Sequence, residues 1–166
     1  MVILGIDPGL ATTGYGIIKL SMINNQLSMV DYGCIETSAK LSFAERLEII
    51  YNELEKLIKK YKPDKIAIEK IFFAKNVKTA MQIGEVRGVA TLVAVKNKTP
   101  LFEFTPLQIK QALTGYGQAS KKQIQKMVKI ILNFREIPKP DDAADALAVA
   151  IICANTSRLL NTKKYE

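Results

Sequence analysis

Residues 2–9 read Val-Ile-Leu-Gly-Ile-Asp-Pro-Gly, and this stretch decides how the chain folds. The apolar run before Asp7 is too short for a helix and is typical of a buried strand. Pro8-Gly9 then turns the chain. A second short run, Lys65-Ile66-Ala67-Ile68, ends in the same way at Glu69. If these two strands lie side by side and parallel, Asp7 and Glu69 emerge together at one edge of a sheet.

The rest of the sequence predicts an α/β domain. Further strands are expected at residues 14–20, 27–36 and 101–104, which are bounded by turn residues. Helices are expected to start at Ser42, at about residue 75, at Thr105, at Ser120 and after Pro140. The sequence contains no repeat, linker or low-complexity segment, so residues 1–166 are interpreted as a single domain. Its predicted core is a five-stranded mixed sheet flanked by helices.

The helix predicted from about residue 75 to residue 96 has almost no polar face. Gly84 and Gly88, four residues apart, would let another backbone approach it closely. A helix of this kind must be covered on two sides. In a small chain, a twofold partner that contacts the helix near Val86 or Ala90 is a natural second cover. The alternative is a helix that is buried at the centre of one domain.

Asp142 and Asp145 add two carboxylates at the start of an alanine-rich helical stretch. They are three residues apart and therefore face the same way, while Asp141 is interpreted as the N-cap of the helix. Clustered carboxylates have raised pKa values or require cations, and hard divalent ions such as Mg²⁺ take oxygen ligands. The chain has no histidine, so a zinc site with soft ligands is not expected. The sequence therefore predicts a magnesium-dependent site.

The charge balance indicates the kind of partner. Lysine and arginine outnumber aspartate and glutamate 24 to 16, which gives a net charge of +8. Acidic residues at the predicted site of a basic protein indicate a polyanionic partner, and the alternative is a generally basic soluble protein. Cys34 and Cys153 lack CxxC spacing and are expected to be small core residues in a reducing cytosol. No signal peptide or membrane-spanning run is recognised, so a cytoplasmic protein without membrane contact is expected.

The motifs that carry this chemistry resemble the RuvC family of Holliday junction resolvases. The matching stretches are residues 5–9 with 14–16, 67–72, 87–90 and 142–148, in order over nearly the whole chain. The resemblance implies a ribonuclease H-like fold and a homodimer. It also implies Mg²⁺-dependent, paired symmetric nicking of four-way DNA junctions during homologous recombination and DNA repair. The RuvA–RuvB branch-migration complex is the partner that the resemblance implies.

The resemblance also assigns roles by position. The catalytic, metal-binding acids of a site for two Mg²⁺ ions, with Mn²⁺ as a substitute, would be Asp7, Glu69, Asp142 and Asp145. Phe72 falls where the family has an aromatic residue that stacks on a base near the junction centre. Lys110 and Lys121 fall where the family has lysines that are important for junction cleavage. Their neighbours Phe73, Lys122 and Lys126 are weaker candidates for DNA contact, on chemistry alone.

Three other functions share some of these sequence features. Sugar-kinase and actin-like ATPases share a strand–Asp–Gly hairpin, but the chain is too short for their two lobes and has no second glycine-rich loop. A related nuclease that acts on RNA and a junction-binding module that does not cut both stay open, because a fold does not determine a substrate.

Overall fold

The computed structural model describes residues 1–70 and 77–162, and for residues 78 and 157–162 it describes the backbone alone. The strands in this part of the chain are Val2–Asp7 (β1), Thr12–Leu20 (β2), Leu27–Glu36 (β3), Lys65–Glu69 (β4) and Leu101–Phe104 (β5). The helices are Phe43–Tyr61 (α1), Val77–Lys96 (α2), Pro106–Thr114 (α3), Lys121–Ile131 (α4) and Asp141–Thr162 (α5).

The strands form one mixed sheet in the order β3-β2-β1-β4-β5. β1 is antiparallel to β2 and parallel to β4, and β4 is in turn parallel to β5. Ile6 lies opposite Ile68 in this register. The next residue of each strand, Asp7 in β1 and Glu69 in β4, therefore lies beside the other at the carboxyl ends of the two strands. The predicted five-stranded mixed sheet and the predicted pairing of its two acidic strands are both confirmed.

Three of the predicted helix starts are confirmed by their capping boxes. In each box, the side chain of the cap residue (Ser42, Thr105 or Ser120) accepts a hydrogen bond from the backbone amide of the third residue after it. The side chain of that third residue in turn accepts a hydrogen bond from the backbone amide of the cap residue.

The predicted role of Asp141 as the N-cap of α5 is wrong. Asp141 is already inside α5, because the carbonyl of Pro140 accepts hydrogen bonds from the amides of Ala143 and Ala144, at 3.1 and 3.2 Å.

The sheet separates two apolar cores. On one face, α3, α4 and α5 pack against Ile3 and Ile18, and on the other face α1 and α2 pack against Leu4 and Ile17. Consecutive residues of β1 therefore point into different cores, as expected for a strand with both faces covered. Among the described residues, no helix has the length and apolar content that a membrane span requires.

Three glycines allow α5 to lie directly on β1 and β2. A Cβ atom at Gly5 would stand 2.1 Å from the carbonyl oxygen of Ala146, and one at Gly14 would stand 2.0 Å from that of Asp142. A Cβ at Gly16 would meet Leu147 at 2.7 Å. The close contact with α5 explains why these three positions are glycine. This contact brings the start of α5 over the end of β1.

α2 has one buried and one exposed apolar face. Val86 and Ala90 are 0% and 1% exposed and pack in the core beside α1, so the predicted contact of a partner chain at these two residues is wrong. The exposed face carries large apolar residues, here called the α2 stripe: Val77, Met81, Leu92 and Val95, which are 53–72% exposed. The pattern predicted two apolar faces correctly, but it could not show which one the domain itself covers.

Candidate active site

Asp7 is the centre of the candidate site. It ends β1 beside Glu69 of β4, with Gly14 of β2 opposite it on the other side. Burial, followed by the charges of Glu69, Asp145 and Asp142, raises the pKa of Asp7 to about 7. The carboxyl ends of β1 and β4 and the start of α5 therefore bring all four predicted acids close enough to affect one another electrostatically.

The pKa values of Glu69 and Asp145 are also raised. Burial and then the charge of Asp145 raise the pKa of Glu69, although Lys110 and Lys121 oppose this. Burial also raises the pKa of Asp145, and the hydrogen bond from Lys121 only partly offsets it. The two predicted lysines thus lie where their charges act on the acids.

A cleft of about 190 Å³ opens between α3, α4, α5 and the end of β4. Charged residues from all four elements line it: Glu69, Lys110, Lys121 and Asp145. Its apolar wall is formed by Pro106, Ile109, Ile124 and Ala148. A cleft that is lined by both acids and lysines suits a phosphate that is bridged to the acids by cations.

Lys121 makes the most specific contact in the cleft. Its Nζ donates to Asp145 Oδ2 at 2.9 Å and lies 3.4 Å from Asp141 Oδ2. Burial acts to lower the pKa of this ammonium, but the hydrogen bond and the charges of Asp145 and Asp141 outweigh it and raise that pKa. Sequence reasoning missed this ion pair, because the partners are on different helices and no spacing links them.

The donor chemistry of the site fits a hard divalent cation. All four candidate ligands are carboxylates, and their mutual repulsion at Asp7 is what a bound cation would relieve. In residues 1–70 and 77–162, however, no group of three or more Asp, Glu or Cys side chains lies close enough together to hold a metal ion as it stands. Asp145 is paired with Lys121, so a cation at this carboxylate would take the place of that ion pair.

Cys34 is a neighbour of the site that the sequence did not indicate. It lies opposite Gly14 on β3, two strands from Asp7, and is half-buried rather than part of the core. Burial and the charge of Asp142 raise the pKa of its thiol, while a hydrogen bond from the amide of Ala143 acts in the other direction. Only the strand register could have revealed this placement. Cys153, by contrast, is buried as predicted.

The remaining candidates differ in what the structure describes of them. Phe72 and Phe73 lie outside the described residues. Lys122 and Lys126 are exposed on α4, next to and one turn beyond Lys121.

Comparison with known proteins identifies close relatives of this chain. A family model described as crossover junction endodeoxyribonuclease RuvC matches residues 3–153. The crossover junction endodeoxyribonuclease RuvC of Ruminiclostridium cellulolyticum is 56% identical over 159 residues, which cover 96% of this chain and 95% of that protein. The structure of Thermus thermophilus RuvC has a TM-score of 0.89 at 31% identity and 96% coverage of both chains. The same protein in complex with a Holliday junction substrate has a TM-score of 0.87 at 28% identity, again with 96% coverage of both. The predicted ribonuclease H-like fold is confirmed by these neighbours.

Proposed function

Because this chain belongs to the RuvC family of crossover junction endodeoxyribonucleases, we propose that it resolves four-way DNA junctions by hydrolysing phosphodiester bonds at the four-carboxylate site. The chain is a structure-specific endonuclease, because its relatives are named crossover junction endodeoxyribonucleases and match it over nearly its full length. A relative of the same fold binds a Holliday junction substrate. The observation that carries the proposal is the cluster of Asp7, Glu69 and Asp145, the last two of which line one cleft with Lys121.

We assign the metal ligands of the site to Asp7, Glu69, Asp142 and Asp145. The RuvC family is generally metal-dependent, and the all-carboxylate donor set supports two Mg²⁺ ions, with Mn²⁺ as a substitute. When bound, such cations lower the pKa of the attacking water and stabilise charge on the leaving oxygen. Hydrolysis of this kind yields a 5′-phosphate and a 3′-hydroxyl.

The side chains around the acids support the positioning of DNA. Lys110 and Lys121 line the cleft with the acids, so their charges can offset the negative charge of the scissile phosphate. Ile109 and Ile124 form part of the apolar wall of the same cleft. We also propose that Phe72, which follows Glu69 closely in the sequence, stacks on a base near the junction centre.

We propose that the active enzyme is a homodimer and that it cooperates with the RuvA–RuvB complex. The support for a dimer is the α2 stripe, an apolar surface that its own domain leaves exposed. Gly88 lies on the same side of α2, and a Cβ there would find no atom within 4 Å, so a second helix could approach closely. Two sites related by a twofold axis could cut two strands of like polarity symmetrically.

The test is cleavage of labelled substrates. The protein is incubated with a four-way junction, a linear duplex and an RNA hairpin, each with Mg²⁺, Mn²⁺ or EDTA. We expect paired nicks in the junction alone, with Mg²⁺ or Mn²⁺ and not with EDTA. Cleavage of the RNA hairpin would favour the RNA nuclease, and tight junction binding without any nick would favour the non-cutting module.

A further inference from the structure

Lys121 acts on the acid cluster as a whole. Its charge opposes the raised pKa of three of the four acids, namely Asp7, Glu69 and Asp145. It also makes the direct 2.9 Å contact to Asp145 Oδ2. One lysine therefore supplies positive charge to acids from β1, β4 and α5.

A divalent cation would compete with this lysine for the same oxygen atoms. Mg²⁺ requires ligand oxygens at about 2.0–2.1 Å, so a Mg²⁺ ion on Asp145 would stand near the Lys121 ammonium, and the two positive charges would repel each other. The side chain of Lys121 is 52% exposed and has a flexible four-carbon stem, so it has room to leave toward solvent.

We propose that Lys121 is an exchangeable counter-ion of the acid cluster, which holds Asp145 until a divalent cation binds and is then released toward the DNA backbone. This inference rests on the proposed metal site at the four acids. It adds a coupling between two ligands, because the lysine that leaves the acids becomes available to a phosphate. Linkage is reciprocal, so bound DNA that holds Lys121 should in turn strengthen metal binding.

The first experiment measures Mg²⁺ affinity in the absence of DNA by isothermal titration calorimetry. Lys121→Met removes the competing charge, so we expect it to bind Mg²⁺ roughly fivefold more tightly than the wild type, at the low end of typical coupling between linked ligands. Lys121→Arg keeps the charge and should bind like the wild type. Lys122→Met is the matched control, because Lys122 is the next residue of α4 and is exposed, and its affinity should not change.

The outcomes separate this inference from the proposed site. Mg²⁺ binding by Lys121→Met that is equal to or weaker than that of the wild type would overturn the exchange while leaving the metal site in place. If Asp7→Asn binds Mg²⁺ as well as the wild type does, the proposed metal site itself is wrong.

The second experiment follows the Lys121 side chain itself in the wild-type protein. The side-chain NMR signal of Lys121, assigned as the lysine signal absent from Lys121→Arg, should move toward that of an exposed lysine as Mg²⁺ saturates the site. A signal that stays unmoved at saturation would contradict the release of Lys121.

A third experiment measures junction binding at several salt concentrations, with Ca²⁺ or with EDTA. The salt slope should steepen by about 0.9 with Ca²⁺ relative to EDTA in the wild type and not in Lys121→Met. Equal changes in slope would exclude the transfer to DNA.

Discussion

At the scale of a single residue, Asp7 makes the free energy of unfolding depend on pH. Its pKa is raised to about 7 in the folded protein, against about 3.9 for an aspartate in an unfolded chain. Between these values the folded protein holds a proton that the unfolded chain has released. In EDTA, the free energy of unfolding should therefore fall as the pH rises from about 4 to about 7, and level off above.

Asp7→Asn removes this titration. The variant should be more stable than the wild type above pH 7, by at most about 4 kcal/mol, and the difference should vanish toward pH 4. Urea unfolding of both proteins over this pH range, in EDTA, measures it. Parallel pH profiles for the two proteins would mean that the pKa of Asp7 is not raised in the folded protein.

The amide variants of the four acids test their chemistry. Asp7→Asn, Glu69→Gln, Asp142→Asn and Asp145→Asn keep the side-chain shape and remove a negative ligand. Each should lower junction cleavage more than about a hundredfold, the scale for a group that stabilises transition-state charge. Junction binding should survive or tighten, because a charge that repels phosphates has gone. Nicking assays with Mg²⁺ and gel-shift assays with Ca²⁺ measure the two effects.

Asp141→Asn is the control for this series. Asp141 is 62% exposed at 3.4 Å from Lys121, and no metal-binding role is assigned to it. Its amide variant should cut like the wild type. Robust cleavage by Asp7→Asn or Glu69→Gln would exclude the two-metal mechanism.

At the scale of elements, the contact between α5 and the sheet positions half of the acids. Gly14→Ala would place a Cβ against the backbone carbonyl of Asp142, so the start of α5 must move. We expect a loss of about 1–3 kcal/mol in the free energy of unfolding, typical of overpacking, together with reduced cleavage. Glu48→Ala is the control, because Glu48 is exposed on α1 and alanine favours a helix. Equal urea midpoints for the two variants would contradict the close contact.

The elements also show what the sequence could predict. Capping boxes and short apolar runs are local signals, so the starts of α1, α3 and α4 and the strands that carry Asp7 and Glu69 were predicted correctly. The covered face of α2 depends on where α1 packs, which no local pattern encodes. The contact between Lys121 and Asp145 was missed for the same reason, since it depends on how α4 lies against α5.

At the scale of the whole molecule, the α2 stripe predicts the assembly. Leu92→Glu places a charge on the exposed face of α2 and should yield folded monomers by analytical ultracentrifugation, with weak or single nicks. Val86→Glu should instead unfold the protein, because Val86 is fully buried and an unpaired charge there is costly.

Ile23→Glu is the control for the assembly, because Ile23 is 99% exposed and distant in sequence from α2. It should stay dimeric and active. A Leu92→Glu protein that remains a dimer would place the interface on another surface.

The order of the elements along the chain has a consequence for how the enzyme is made. β1 leaves the ribosome before α5, and the proposed site needs Asp7 from one and Asp145 from the other. A nascent chain that ends before residue 141 carries two of the four acids, and the glycines of β1 and β2 still lack the helix that lies on them. On the proposed assignment, cutting activity therefore requires α5. A translation product that stops before this helix would carry half of the proposed ligands and would not cut DNA.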